Sequence, residues 1–116
     1  MARGSSLIRE HIKKRFTRSK DWPRVRNAYI QANPICACCG KHYKFLGKWL
    51  LCVHHIKPVH LFPELELVWH NLLPLCNNPR CHLDKGHLGD WRAWNPSVAQ
   101  DCREWRNKYL NRLYGQ

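Results

Sequence analysis

Two pairs of cysteines limit what this chain can fold into more than any other feature of the sequence. Two residues separate Cys36 from Cys39, and four separate Cys76 from Cys81. Thiolates at such spacings bind zinc in closed tetrahedral sites, and Gly40 permits a tight turn behind the first pair. A chain of 116 residues buries a modest part of its surface, so a metal cross-link is expected to add to its stability. The pairs therefore predict one structural zinc site that joins two distant segments.

The full set of cysteines favours metal binding over disulfides. The chain has seven cysteines, an odd number, and no secretory segment or twenty-residue apolar run is visible in it. Clustered cysteines of this kind are typical of a reducing compartment, so we expect a cytoplasmic protein. Cys38 is expected to be a bystander, and the sequence does not decide whether Cys52 and Cys102 do more than pack. Buried free cysteines without a metal are the alternative.

The charge of the chain indicates a polyanionic partner. Twenty Lys and Arg stand against eight Asp and Glu, a formal net charge of +12. Such an excess suits nucleic acid. Nine of these cationic residues lie before Asn27, so residues 1–20 are predicted to be a basic arm, either a short helix that forms in context or a solvated tail. A ribosomal or membrane-surface protein would show a similar excess, so charge alone does not choose among these classes.

Local signals predict a small α+β domain over residues 21–116, with a core at about 36–90. Pro23 near the start and Asn33-Pro34 at the end indicate a helix over 22–32. The sequence also predicts strands over 49–56 and 71–75, a short helix from Cys81 to about Gly86 or Gly89, and a last helix over 97–114. Pro74 requires the second strand to be an edge strand or an irregular one.

The last predicted helix carries an apolar stripe. Its members recur at spacings of three and four and are interpreted as core: Val98, Cys102, Trp105, Tyr109 and Leu113. Trp91 and Trp94 precede this helix and are expected to pack the connection that leads into it.

Two adjacent histidines on the first predicted strand suggest hydrolytic chemistry. Neighbouring strand residues point to opposite sides, so His54 and His55 are expected to have different roles. We interpret His55 as a general base that activates water and His54 as a metal ligand. Asn71 cannot titrate at neutral pH, but its amide can orient the base or a backbone group. A zinc site that holds Cys81 would bring His82 against this strand.

These residues, in this order, resemble the motif of the HNH endonucleases, of the zinc-containing kind found in bacteria and their phages. The matching segments are Val53-His54-His55-Ile56-Lys57-Pro58, Asn71-Leu72-Leu73-Pro74-Leu75-Cys76 and Cys81-His82. The resemblance covers residues 36–88 and implies a ββα-metal fold, also called the His-Me finger, cross-linked by the four-cysteine zinc site and flanked by two helices. It further implies a metal-dependent DNA endonuclease or nickase that hydrolyses phosphodiester bonds.

The resemblance also assigns roles to single positions. His55 matches the general base, Asn71 matches the middle residue of the motif, and His54 and His82 match ligands of a catalytic divalent ion such as Mg²⁺, Mn²⁺ or Ni²⁺. Cys36, Cys39, Cys76 and Cys81 match the structural zinc ligands. The chain departs from many relatives in two ways: it has His54 where Asp is common, and two extra residues lie between its last two cysteines.

Several assignments stay open at this level. His87 lies five positions after His82, about 140° around an ideal α-helix, so His87 could be a third ligand only if the turn is broken near Gly86. His60 is a weaker candidate. Contacts to DNA phosphates are expected from the following side chains: Arg15, Arg18, Lys57, Arg103 and Arg106.

The expected protein is a monomer or weak dimer with no membrane partner, and phage packaging proteins are possible partners by analogy with compact members of the family. Two other functions remain as alternatives to the nuclease. One is a non-catalytic, zinc-stabilised nucleic-acid-binding module whose histidines are structural. The other is a ribosomal-type RNA-binding protein.

Overall fold

The computed structural model describes residues 18–42, 51–77 and 80–114, with the side chains of 113 and 114 left out. Helix α1 spans Trp22–Ala32, strand β1 spans Leu51–His55 and strand β2 spans Leu72–Cys76. Two short 3₁₀ turns, Pro63–Leu65 and Trp69–Asn71, lie between the strands. A π-helix, His82–Gly86, and a long helix α2, Val98–Tyr114, follow. The chain is therefore α+β, as predicted, while most of the predicted basic arm, including Arg15, lies outside the described residues.

The two strands form one antiparallel sheet. Leu51 lies opposite Cys76, and His55 at the other end lies opposite Leu72. Pro74 is compatible with this sheet because a two-stranded sheet has only edge strands. Its carbonyl accepts a hydrogen bond of 2.8 Å from the backbone N–H of Ala37. The loop that carries the first cysteine pair is thereby fixed against the strand that leads to the second pair.

Helix α1 has the predicted bounds and packs against the sheet through one face. Val25 and Tyr29 are buried in a small cluster with Leu72. The Tyr29 hydroxyl donates a 2.9 Å hydrogen bond to the Leu72 carbonyl, and burial raises the pKa of this phenol. Trp22, at the start of the helix, lies with its ring centre 4.6 Å from that of His55. The helix therefore supports the end of the sheet where His55 is found.

Helix α2 is predicted nearly correctly in extent but not in packing. Val98 and Cys102 are buried in the core beside Leu51 and Leu75. Trp105 and Tyr109, predicted to be core, are each 46% exposed. Lys85 of the π-helix lies over the Trp105 ring at 4.8 Å but does not bury it. The side chain of Leu113 lies outside the described residues. Of the four members that the structure describes, only Val98 and Cys102 are therefore core.

The two tryptophans before α2 differ in their packing. Trp94 packs edge to face on Phe62 with ring centres 6.2 Å apart, whereas Trp91 is 58% exposed. Trp91 nevertheless contacts the rings of His82 and His87, at ring-centre distances of 5.1 and 5.0 Å, so the prediction that both tryptophans pack the connection holds for Trp94 and in part for Trp91. In the segments that the structure describes, no helix is both long enough and apolar enough to cross a membrane.

Candidate metal centres and the cleft beside them

The four predicted zinc ligands come together in the structure. The sulfur atoms of Cys36, Cys39, Cys76 and Cys81 all lie within 4.8 Å of one another. Gly40 follows the first pair with a φ of +79°, which is the backbone conformation that the predicted turn requires. Four thiolates complete a tetrahedral shell and leave no position for water or substrate. The cluster therefore has the chemistry of a structural metal site.

Hydrogen bonds prepare one of these sulfurs to carry negative charge. The Cys36 sulfur accepts backbone N–H bonds of 3.4 Å from both Cys39 and Cys76. A hydrogen bond from Cys81, followed by these N–H groups, lowers the pKa of the Cys36 thiol well below its ordinary value. The same hydrogen bond raises the pKa of Cys81, so within this pair Cys36 is the sulfur that the two N–H groups prepare as a thiolate, the form that zinc binds.

The other cysteines have separate surroundings. Cys38 and Cys102 are buried in the core that also contains Cys81. Cys38 is not among the four clustered sulfurs, in agreement with the sequence prediction. Cys52 accepts a 2.9 Å hydrogen bond from the side-chain amide of Asn77, which connects it to the second site described next.

Three histidines form a second cluster that could hold a metal ion. One ring nitrogen from each of His54, His82 and His87 lies within 4.8 Å of the others. Nε2 of His82 is 3.1 Å from Nδ1 of His54. His54 is buried, and its Nε2 atom has no hydrogen-bond partner within the described part of the chain. An unpaired buried polar atom costs about 1–3 kcal/mol, so a bound ion would satisfy a group that the protein itself leaves without a partner.

The π-helix brings His87 into this cluster. In an α-helix, residues five apart lie on different faces, but the wider turn of a π-helix brings them close to the same face. The ring centres of His82 and His87 are 4.9 Å apart. His87 therefore joins the two predicted ligands, whereas His60 is not a member of the cluster.

Gly86 makes room for the His54 ring. A Cβ atom on Gly86 would lie 3.0 Å from Cε1 of His54 and 3.1 Å from its Nδ1. Such distances are too short for an ordinary contact, so any larger residue would displace the imidazole. The sequence predicts Gly86 only as a possible end of the short helix. No pattern in the sequence indicates that Gly86 lies close to His54.

Hydrogen bonds orient the rings of His82 and His87. Nδ1 of His87 donates to the Ala93 carbonyl at 2.8 Å, and Nδ1 of His82 lies 3.3 Å from the side-chain oxygen of Asn77, to which it can donate. These bonds leave Nε2 of both rings as the unprotonated nitrogen that a metal requires. Sequence reasoning missed Asn77. The only signal for it was its position directly after Cys76, one of the predicted metal ligands.

Burial keeps two rings of this cluster, those of His54 and His82, neutral. Desolvation, followed by the neighbouring histidines, lowers the pKa of His54 to about 3, and desolvation followed by His87 lowers the pKa of His82 to about 4. Both rings are therefore uncharged at neutral pH. Neutral imidazoles are the form that binds metal ions.

Replacing Asn77 by alanine is expected to weaken divalent-ion binding at the histidine cluster by about 10- to 100-fold, since the ring of His82 loses its orienting partner. The measurement is a calorimetric titration of zinc-loaded protein with Ni²⁺. Asn107→Ala, which removes an exposed amide on α2, is the matched control. Equal Ni²⁺ affinity in both variants would show that Asn77 does not position the ligand.

His55 has different contacts from His54, as expected for adjacent strand residues. Its Nε2 lies 2.9 Å from the Glu66 carbonyl, to which it donates, so Nδ1 is the nitrogen with the lone pair. Nδ1 lies 3.5 Å from the guanidinium of Arg18. Burial lowers the pKa of His55, and the positive charge of Arg18 lowers it further, against the raising effect of the Glu66 carbonyl. The ring is therefore neutral and basic at neutral pH.

Asn71 positions the backbone and does not touch the imidazole of His55. Its side-chain oxygen accepts from the backbone N–H of Lys57 at 2.9 Å, and its amide donates to the carbonyls of Lys57 and Leu65. The sequence left open whether Asn71 orients the base His55 or a backbone group, and the structure shows that it binds backbone groups. By holding Leu65, Asn71 fixes the neighbouring Glu66 carbonyl that binds the ring of His55.

One cleft connects His55 with the histidine cluster. It has a volume of about 460 Å³, and its walls include His54, His55 and His87. The remaining walls are formed by these residues: Arg18, Pro58, Val59, His60, Trp91, Arg92, Ala93 and Trp94. A neutral base and a possible metal site therefore face the same space.

The described cationic candidates lie in two places. Arg18 lies over the Trp22 ring at 5.0 Å and Lys57 over the Phe62 ring at 5.3 Å, both near the cleft. Arg103 and Arg106 are exposed on α2, with the Arg106 guanidinium beside Gly40 of the cysteine loop. Cationic side chains thus lie both at the cleft and along the cysteine site.

Comparisons with models of protein families, with curated proteins and with solved structures found no match to this chain.

Proposed function

We propose that this protein is a metal-dependent endonuclease of the HNH type that nicks DNA. One observation carries the proposal: a neutral imidazole whose Nδ1 carries the lone pair, that of His55, faces the same cleft as His54 and His87, two of the three histidines arranged to hold one metal ion. A base and a divalent ion beside each other are the two parts that hydrolysis of a phosphodiester needs. The ββα-metal fold belongs to the same proposal.

The reaction proceeds by attack of water on a phosphodiester. The oxygen of water bonds to phosphorus while its proton passes to Nδ1 of His55. The bond from phosphorus to the leaving sugar oxygen breaks, and that oxygen takes a proton from solvent. A divalent ion at His54, His82 and His87 would stabilise the negative charge that develops on the phosphate and the leaving oxygen. His55 then releases its proton to solvent, and the Glu66 carbonyl keeps its ring in place throughout.

The cationic side chains support DNA as the substrate. Arg18 lies on the cleft wall next to the Nδ1 atom of His55, where it can bind the phosphate that is cut. Lys57, Arg103 and Arg106 extend the positive charge away from the cleft and would hold flanking phosphates. A single site of this kind cuts one strand, so the expected product is a nick. Double-strand breaks would require two events or a dimer.

Mn²⁺, Ni²⁺ or Co²⁺ is expected to support nicking at least as well as Mg²⁺. All three members of the second cluster offer imidazole nitrogen, which suits these ions better than Mg²⁺, a hard cation that prefers oxygen. The measurement is conversion of supercoiled plasmid to the open circle by zinc-loaded protein at matched concentrations of each ion. Cleavage with Mg²⁺ alone would contradict the expectation.

The same assay tests the proposed function when His82→Ala is compared with His70→Ala. His82 belongs to the cluster, whereas His70 is an exposed histidine outside it. We expect nicking to require an added divalent ion, to be lost in His82→Ala and to persist in His70→Ala. Binding without nicking in any of the four ions would support the second candidate, a zinc-stabilised nucleic-acid-binding module. The exposed cationic half of α2 favours that candidate.

A further inference from the structure

We propose that the cleft binds an unpaired nucleobase, stacked on Trp91, so that the preferred substrate is single-stranded or locally unpaired DNA. This inference rests on the proposed nuclease function and names the form of DNA that its site accepts. The features that carry it are the position of Trp91, the character of the cleft walls and the size of the cleft.

Trp91 is held beside the histidine cluster with much of its ring open. Its ring centre is 5.1 Å from that of His82 and 5.0 Å from that of His87. The residue is nonetheless 58% exposed, an unusual state for a side chain that packs so well when buried. The indole therefore packs against the two imidazoles, lines the cleft and leaves more than half of its surface accessible.

The rest of the cleft has the walls that a nucleotide requires. Pro58, Val59 and Ala93 give it apolar surface, and Trp94 adds a second aromatic ring. Arg18 and Arg92 add positive charge, the latter paired with Asp90 at 3.3 Å on the outer side. Aromatic surface for the base together with cationic groups for the phosphate is the combination found in sites for single-stranded nucleic acid.

Pairing would prevent a base from reaching this surface. In a duplex, both faces of a base are covered by its neighbours, so a tryptophan ring can stack only on a base that has left the helix. The cleft, at about 460 Å³, lies in the size range of small-molecule sites and suits one nucleotide. A nucleotide held there would place its phosphate next to the histidine cluster and His55, so cleavage is expected beside the unpaired base.

The test uses two end-labelled duplexes of the same sequence, one fully paired and one with a single-nucleotide bulge, together with the single strand. We expect wild-type protein with Mn²⁺ to cut the single strand and the bulged duplex faster than the fully paired duplex, with nicks next to the bulge.

Stacking is worth about 1–3 kcal/mol per base, so we expect wild type to prefer unpaired over paired DNA by about 5- to 100-fold and Trp91→Ala to lose this preference. Trp91→Phe should keep most of it. Trp105→Ala, an exposed tryptophan on α2, is the matched control.

Binding is measured in parallel with zinc-loaded protein without added divalent ion. A lower affinity of Trp91→Ala for the single strand, with duplex affinity unchanged, would support the stacking site even if no substrate were cut, and in that case only the nuclease proposal would fail. Equal rates and affinities of wild type for paired and unpaired DNA would overturn the inference and leave the nuclease intact. Trp91→Ala could instead bind Ni²⁺ more weakly and still prefer unpaired over paired DNA. That result would assign Trp91 to the metal site and would also overturn the inference of a stacking site.

Discussion

Replacing His55 by alanine is expected to lower the rate of nicking by about 10²- to 10⁴-fold, because a positioned general base contributes about that much to a hydrolytic reaction. DNA affinity and Ni²⁺ affinity should change little, since His55 is not a member of the histidine cluster. The rates are measured on supercoiled plasmid with saturating Mn²⁺, and DNA binding is followed by gel shift. His70→Ala is the control for the loss of a histidine outside the cleft.

The dependence of the nicking rate on pH is a second test of His55 as the general base. The base acts in its neutral form, and burial lowers the pKa of His55 below the ordinary imidazole value of about 6.5. The neutral form therefore predominates at pH 7, so the rate should change little from pH 7 to 8 and should fall as the pH decreases through the lowered pKa of His55. A rate that falls with a midpoint above the ordinary imidazole pKa, or His55→Ala nicking at the wild-type rate, would remove His55 from this role.

Replacing Cys76 by serine is expected to abolish the folded state of the domain. Cys76 is fully buried, and its sulfur lies 3.5 Å from that of Cys39. Zinc binding by four thiolates supplies on the order of 10 kcal/mol in small zinc domains, which equals or exceeds the whole stability of a typical domain of this size. The expected result is loss of bound zinc and of a cooperative thermal transition. Zinc content and circular dichroism during heating measure the two effects.

Cys52→Ser is the matched control for this substitution. Cys52 is a partly buried cysteine that lies outside the four-sulfur cluster, and a serine oxygen can still accept the hydrogen bond from Asn77. This variant should keep one zinc ion and a similar melting temperature. If Cys76→Ser kept its zinc and its transition as well, the cluster would not be a structural metal site.

The secondary structure could be predicted from the sequence because its signals are local. Pro23 and Asn33-Pro34 set the ends of α1, and Pro74 correctly restricted β2 to an edge. The apolar stripe on α2 shows what such local signals do not predict. Periodicity reports which face of a helix is apolar, but whether another element covers that face depends on where α2 extends relative to the sheet. Trp105 and Tyr109 are therefore exposed despite their ideal spacing.

The candidate site was predictable where residue types and spacing define the chemistry. The four cysteines and the pair His54 and His82 lie together as predicted. The membership of His87 stayed open because it depends on a π-helix, and helical periodicity assumes an α-helix. Asn77 and the Glu66 carbonyl were missed because each acts through a contact that depends on tertiary placement. No sequence pattern identifies which backbone carbonyl meets a buried imidazole.

The two clusters share their chain segments, and this imposes an order of assembly. Cys76 immediately precedes Asn77, which orients His82, and Cys81 immediately precedes His82 itself. Zinc bound in the four-sulfur site would therefore fix both ends of the connection on which the second cluster depends. By linkage, an ion that binds only the zinc-loaded form would stabilise that form. We therefore expect the supply of the first metal to govern when the second can be bound.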